Sequence, residues 1–241
     1  MVSSFGPSRL SGTLTGSAPV LGGFFLAAAL MVLPQHAAAN CASPEGDLQA
    51  ELCASKPLSD AWTQIEAELT RITTAQPDLA AALSEDQALF TSLMEKTVQA
   101  LKAEHPADQV GGIAMSGLEE RLDFLRSVDL DQGAGLEGGW QNAAGQMQVG
   151  AQGPEGRRVQ ISVMEPIMGL NTCTLDGVGK EASDLLVVEL PPSNEVGIAR
   201  IGQSALAGVD FTRAGRAAEG PADCLNSPSI SGWYFRVKSG A

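Results

Sequence analysis

The chain has 241 residues, with 28 acidic and 15 basic side chains and a formal net charge of −13. That balance excludes nucleic acid, whose phosphates would be repelled, and argues against anionic membrane surfaces. It favours a cationic partner, through steering more than through affinity.

Residues 1 to 39 contain no Asp, Glu or Lys and one arginine, Arg9. An apolar run from Ala18 to Leu33 is followed by Pro34 and then Ala37-Ala38-Ala39. A lightly basic start, an apolar centre and small residues before the cut describe a secretory signal ending at Ala39. The apolar run is too short for the roughly 20 residues that span a bilayer, so no membrane span is expected after cleavage. Cys41 lies just past the cut, but Asn40 stands where lipid attachment wants a small residue. The expected location is periplasmic or secreted. The mature chain carries 14 basic and 28 acidic residues, a net of −14.

All four cysteines, Cys41, Cys53, Cys173 and Cys224, follow the cut, an even number in an oxidising compartment. Three connectivities are possible. Local order favours Cys41–Cys53, a loop worth about 3 kcal/mol, and Cys173–Cys224, a longer one worth about 4 kcal/mol in the chain-entropy model. No Cys-x-x-Cys pair supports a metal site.

Residues 54 to 128 read as helical. Leu58, Trp62, Ile65, Leu69 and Ile72 recur at steps of four and three, on one helix face. Pro77-Asp78 breaks this helix and starts the next. Ser84-Glu85-Asp86-Gln87 spells a capping box, followed by an apolar stripe of Leu89, Phe90, Leu93, Met94, Val98 and Leu101. His105-Pro106 ends that helix. Ser116 to Glu119 caps a third, carrying Leu118, Leu122, Leu125 and Val128. Short connections predict an antiparallel helical unit over residues 40 to 130.

Residues 131 to 139 hold Gly133, Gly135, Gly138 and Gly139 with no apolar period, and read as a linker. From 140 to 241 the period changes to 2. Met147, Val149 and Ala151 alternate with polar or small residues, as do Val159, Ile161 and Val163, and Gly153-Pro154-Glu155-Gly156 joins the two runs as a turn. Further strands are expected at 170–176, 184–190, 195–202, 205–212 and 230–238. The continuous apolar run Leu185 to Leu190 predicts a strand covered on both faces. Seven such strands give an antiparallel barrel or sandwich. The predicted fold class is α+β.

No catalytic constellation emerges, and the chain is read as no enzyme. His105, the only histidine after the cut, stands at a helix end, which disfavours Ser-His-Asp or Cys-His chemistry. Glu119-Glu120 and Glu66/Glu68 read as solvated helix charge. Asp129, Asp131 and Glu137 miss the EF-hand spacing. No cofactor and no metal are expected. Within Trp233-Tyr234-Phe235, alternation sends Trp233 and Phe235 to one face and Tyr234 to the other.

Cys41-Ala42, Glu51, Cys53, Pro57-Leu58, Leu83, Gln87 with Phe90 three later, and Arg121 resemble the LprI-like N-terminal domain, over residues 41 to 126. That is a small exported helical module named for a lysozyme inhibitor. The family usually has Asp where this chain has Trp62, Trp where it has Phe90, and Arg where it has Met94. Some lysozyme inhibitors also carry a small β-barrel whose Ser-Gly loop enters the enzyme cleft, and Ser231-Gly232-Trp233-Tyr234 is similar to that loop. The resemblance implies a non-catalytic binding protein that inhibits a cationic lysozyme, with Ser231 and Tyr234 as partner-binding residues. The alternative is an envelope structural or assembly protein.

Overall fold

The computed structural model describes residues 41–131, 135–164, 172–182, 185–190, 194–200, 206–213 and 232–238. All of them belong to one compact unit. Four α-helices precede an antiparallel barrel, an α+β fold.

Helix α1 (Asp47–Ala54) falls in the stretch between the first two cysteines, where no helix was expected. Its N-terminal amides are satisfied from a distance: Asp47 N–H and Leu48 N–H donate to the two carboxylate oxygens of Glu95, at 2.8 and 2.9 Å. A carboxylate there both caps the free donors and suits the positive end of the helix dipole. Gly46 precedes it at φ 132°, a backbone conformation that residues with a side chain rarely adopt. Lys102 bridges Asp47 and Glu51 at 2.9 and 3.0 Å.

Helix α2 (Lys56–Ala75) carries the predicted stripe, with Leu58, Trp62, Ile65 and Ile72 buried. It stops at Gln76, before Pro77, as the steric demand of proline requires. A single 3₁₀ turn, Pro77–Leu79, leads into α3 (Ala80–Glu104). The Ser84–Gln87 capping box is therefore overturned: these residues lie inside α3, and Asp86 is buried. His105 is extended and terminates α3 as predicted. Helix α4 (Ala107–Ser127) begins about two and a half turns before Ser116, the expected cap. Its early glycines, Gly111 and Gly112, each weaken a helix by about 1 kcal/mol. Val110, Ala114 and Leu118, all fully buried, extend the apolar stripe through them and hold the helix.

The barrel comprises β1 (Gly138–Gln141), β2 (Gly145–Gln152), β3 (Arg157–Met164), β4 (Thr172–Ala182), β5 (Leu185–Leu190), β6 (Asn194–Arg200), β7 (Leu206–Arg213) and β8 (Gly232–Val237). Each strand pairs antiparallel with the next, and β8 returns to β1 through Trp140↔Arg236 and Gln141↔Phe235, closing the sheet. Of barrel and sandwich, the chain forms the barrel. The strand β1 takes Gly138 and Gly139 from the stretch read as linker. The interior alternates as period 2 demands: Met147 and Val149 on β2, Val159, Ile161 and Val163 on β3, with Trp140 and Tyr234 closing the core. Strand β5 is not covered on both faces. Leu186 and Val188 are buried but Val187 is only half-buried, because a barrel wall has one inside.

Strand β8 joins the two halves. Tyr234 points into the barrel. Phe235 belongs to the helical core, edge-on to Phe124 at 6.2 Å, and Trp233 packs against that core beside it. Backbone bonds add to this seam: Asp129 N–H to Arg236 O at 2.8 Å and Lys238 N–H to Ser127 O at 2.9 Å.

Candidate functional site

The densest polar arrangement lies where α3 and α4 meet the barrel. Asp86 and Arg121 form an ion pair at 2.6 Å, with side chains 3% and 1% exposed. Arg121 also donates from Nε and Nη2 to Gln87 Oε1, at 3.1 and 3.0 Å. Its guanidinium lies 5.1 Å from the centre of the Phe90 ring and 5.0 Å from that of Phe124. Trp62 stacks in turn on Phe90, at 6.4 Å. A planar, delocalised cation suits such an aromatic slot better than an ammonium would.

The second oxygen of Asp86 crosses to the barrel and accepts the Ala143 N–H at 2.7 Å. Ala143 sits in the β1–β2 turn. There Asn142 Oδ1 accepts the amides of Ala144 and Gly145 at 2.9 and 2.8 Å, which shapes the turn. A side chain on Gly145 would lie 2.4 Å from Ser162 O, so the turn must end in glycine. The Asn142 side chain also hydrogen-bonds Tyr234. One polar chain therefore runs Gln87, Arg121, Asp86, Ala143, Asn142, Tyr234, from helix to barrel interior.

This chain is structural chemistry. A buried charge needs a partner and satisfied hydrogen bonds, and here Arg121 and Asp86 supply both to each other and to their neighbours. Burial pushes the Tyr234 hydroxyl up to about 12, with the Asp86 charge adding to the effect and the Asn142 bond opposing it. A phenol so placed stays protonated and holds its hydrogen bond.

The residues named from sequence are distributed as follows. Cys41 and Cys53 are bonded, with Cα atoms 5.4 Å apart. Cys173 contributes backbone to β4, and Cys224 and Ser231 lie outside the described residues. Tyr234 is fully buried, so it offers no surface to a partner; the period that places Trp233 and Phe235 towards the helices turns it inward. Gln87 and Phe90, three apart on α3, converge with Arg121 of α4 in one cluster. Asp86, Asn142 and Ala143 went unnoticed. The Asp86 spelling suggested a cap, and a buried acid has no local sequence signature. Among the described residues no group of three or more His, Cys, Asp or Glu could hold a metal ion, and no helix is long and apolar enough to cross a membrane.

The surface charge is uneven. Residues 41 to 131 hold 17 acidic and 6 basic side chains, a net of −11, whereas residues 132 to 241 hold 11 and 8, a net of −3. On α4, Ser116, Glu119, Glu120 and Asp123 line one exposed stripe with Ile113, which is 43% exposed. None of the ion pairs among the described residues uses Glu119, Glu120 or Asp123. Lys102, by contrast, is held above its ordinary value by its bond to Asp47, and by Glu51.

Comparison with models of protein families, with curated proteins and with solved structures finds no match for this chain.

Proposed function

We propose that this chain is an exported, non-catalytic binding protein that engages a strongly cationic protein through its helical half, with a lysozyme as the partner to which the resemblance points. The observation that carries the reading is the concentration of charge: a net of −11 within residues 41 to 131. The exposed stripe of Glu119, Glu120 and Asp123, with Ile113 at its end, gives that charge a defined face. Such a face raises the association rate with a cationic partner and loses that advantage as salt rises. The leader-like residues 1 to 39 and the Cys41–Cys53 bond support an oxidising, extracytoplasmic location. Ser231 and Tyr234 are not needed for this docking mode.

The test is binding of the purified chain to a c-type lysozyme over a salt series, with lysis followed in parallel. The reading expects salt-sensitive binding with loss of lysis. It expects the triple variant Glu119→Gln, Glu120→Gln, Asp123→Asn to associate roughly ten times more slowly at low salt. Undiminished lysis in excess protein removes the inhibitor role. Binding that ignores the triple variant removes the α4 face.

A further inference from the structure

We infer that the outer wall of the barrel, across β1, β2 and β3, carries a binding groove for a neutral, hydroxyl-rich glycan. A groove of about 150 Å³ lies there, lined by the side chains of Gln141, Gln146, Gln148, Gln160 and Ser162 on a floor formed by Gly139, Trp140 and Met147, with Val237 completing the lining.

The register explains why these side chains converge. Gln141 pairs with Gln146, and Gln146 with Ser162. In the next row Gly139 pairs with Gln148, and Gln148 with Gln160. All are outward positions, since Trp140 and Met147 between them are buried. Gly139 makes the depression: a Cβ there would lie 3.2 Å from Val237 Cγ2 and 3.5 Å from Gln148 Oε1.

The chemistry selects the ligand class. Each primary amide offers two donors and one acceptor, which matches hydroxyls that donate and accept at adjacent carbons. Among the described residues none of the four glutamine amides has a hydrogen-bond partner. No charged residue lines the groove. The next position along the Gln148–Gln160 row, Asp176, is neutralised by Arg158 at 2.7 Å. A charged ligand would lose hydration there without gaining a counter-charge. An extended peptide would need a free strand edge, and β8, β1, β2 and β3 are paired on both sides. This site is independent of the acidic face of α4.

The experiment titrates the purified, ¹⁵N-labelled chain with cellotetraose, maltotetraose and chitotetraose, following the side-chain amide resonances of glutamine. At least one oligosaccharide should shift several of these resonances saturably. The double variant Gln148→Ala, Gln160→Ala should bind it about tenfold or more weakly, each lost hydrogen bond contributing several-fold. Gly139→Ala should weaken binding too, by placing a methyl in the depression against Val237. No saturable shift with any of the three, shifts confined to other residues, or unchanged affinity in both variants would overturn the proposal. So would capture of an uncharged peptide in the groove in place of every sugar.

Discussion

Tyr234 and Phe235 are adjacent in sequence and belong to different cores: the Tyr234 ring fills the barrel, and the Phe235 ring lies among the helices against Phe124. A single strand thus supplies both hydrophobic interiors. The two halves share a wall, and loosening that wall affects both.

Phe235→Ala should therefore cost about 3–5 kcal/mol, the usual range for deleting a buried phenylalanine. The diagnostic result is the form of the loss. Helical and β circular-dichroism signals should shift together to lower denaturant, with one midpoint. Separate midpoints in the parent chain would show that the shared wall does not couple them.

Tyr234 is the only tyrosine of the chain, so its ionisation can be read directly from absorbance. Its folded value of about 12 lies above the ordinary value of 10. Raising the value of an acid stabilises the folded state while the group stays protonated. That stability is complete below pH 10 and is lost as the pH rises towards 12. Two pH units correspond to roughly 3 kcal/mol. The measurement is a spectrophotometric titration of folded protein beside one in denaturant; coincident curves near 10 would refute the burial of the phenol.

Removing one partner of the buried pair should be severe. Asp86→Ala and Arg121→Ala should each cost about 3–5 kcal/mol, because a buried charge is left alone. Replacing both, as Asp86→Ala with Arg121→Ala, should cost clearly less than the sum. A double-mutant cycle by urea denaturation gives the coupling, and additive losses would show that the pair does not act as one.

Breaking the Cys41–Cys53 bond by Cys→Ser at both positions should lower stability by about 3 kcal/mol in the chain-entropy model. Glu95→Ala should remove a further 1–2 kcal/mol or so, as the loss of a helix cap does. Hydrogen exchange at Asp47 and Leu48 should accelerate in the Glu95 variant before it does elsewhere.

Much of this architecture is legible in the residues. Steps of three and four place Leu58, Trp62, Ile65 and Ile72 correctly, the proline at 77 stops α2, and alternation orients Trp233, Tyr234 and Phe235. What failed has physical causes. Gly111 and Gly112 hid the first turns of α4, because buried neighbours override local propensity. The Ser84–Gln87 spelling imitates a cap, because the same letters serve a buried ion pair. Barrel closure through Trp140↔Arg236 depends on strands about a hundred residues apart, and no local pattern reports it. Gln87, Phe90 and Arg121 were visible as separate letters of a motif, whereas Asp86 and Asn142, which connect that cluster to the barrel, were not.

The capping of α1 by Glu95 bears on what the Cys41–Cys53 bond encloses. An isolated eight-residue helix is unstable in water, and this one finds its end groups satisfied only by a carboxylate on α3, about fifty residues further along the chain. The placement of α1 thus depends on α3, and the Cys41–Cys53 bond closes a loop whose helix is anchored by a residue outside that loop.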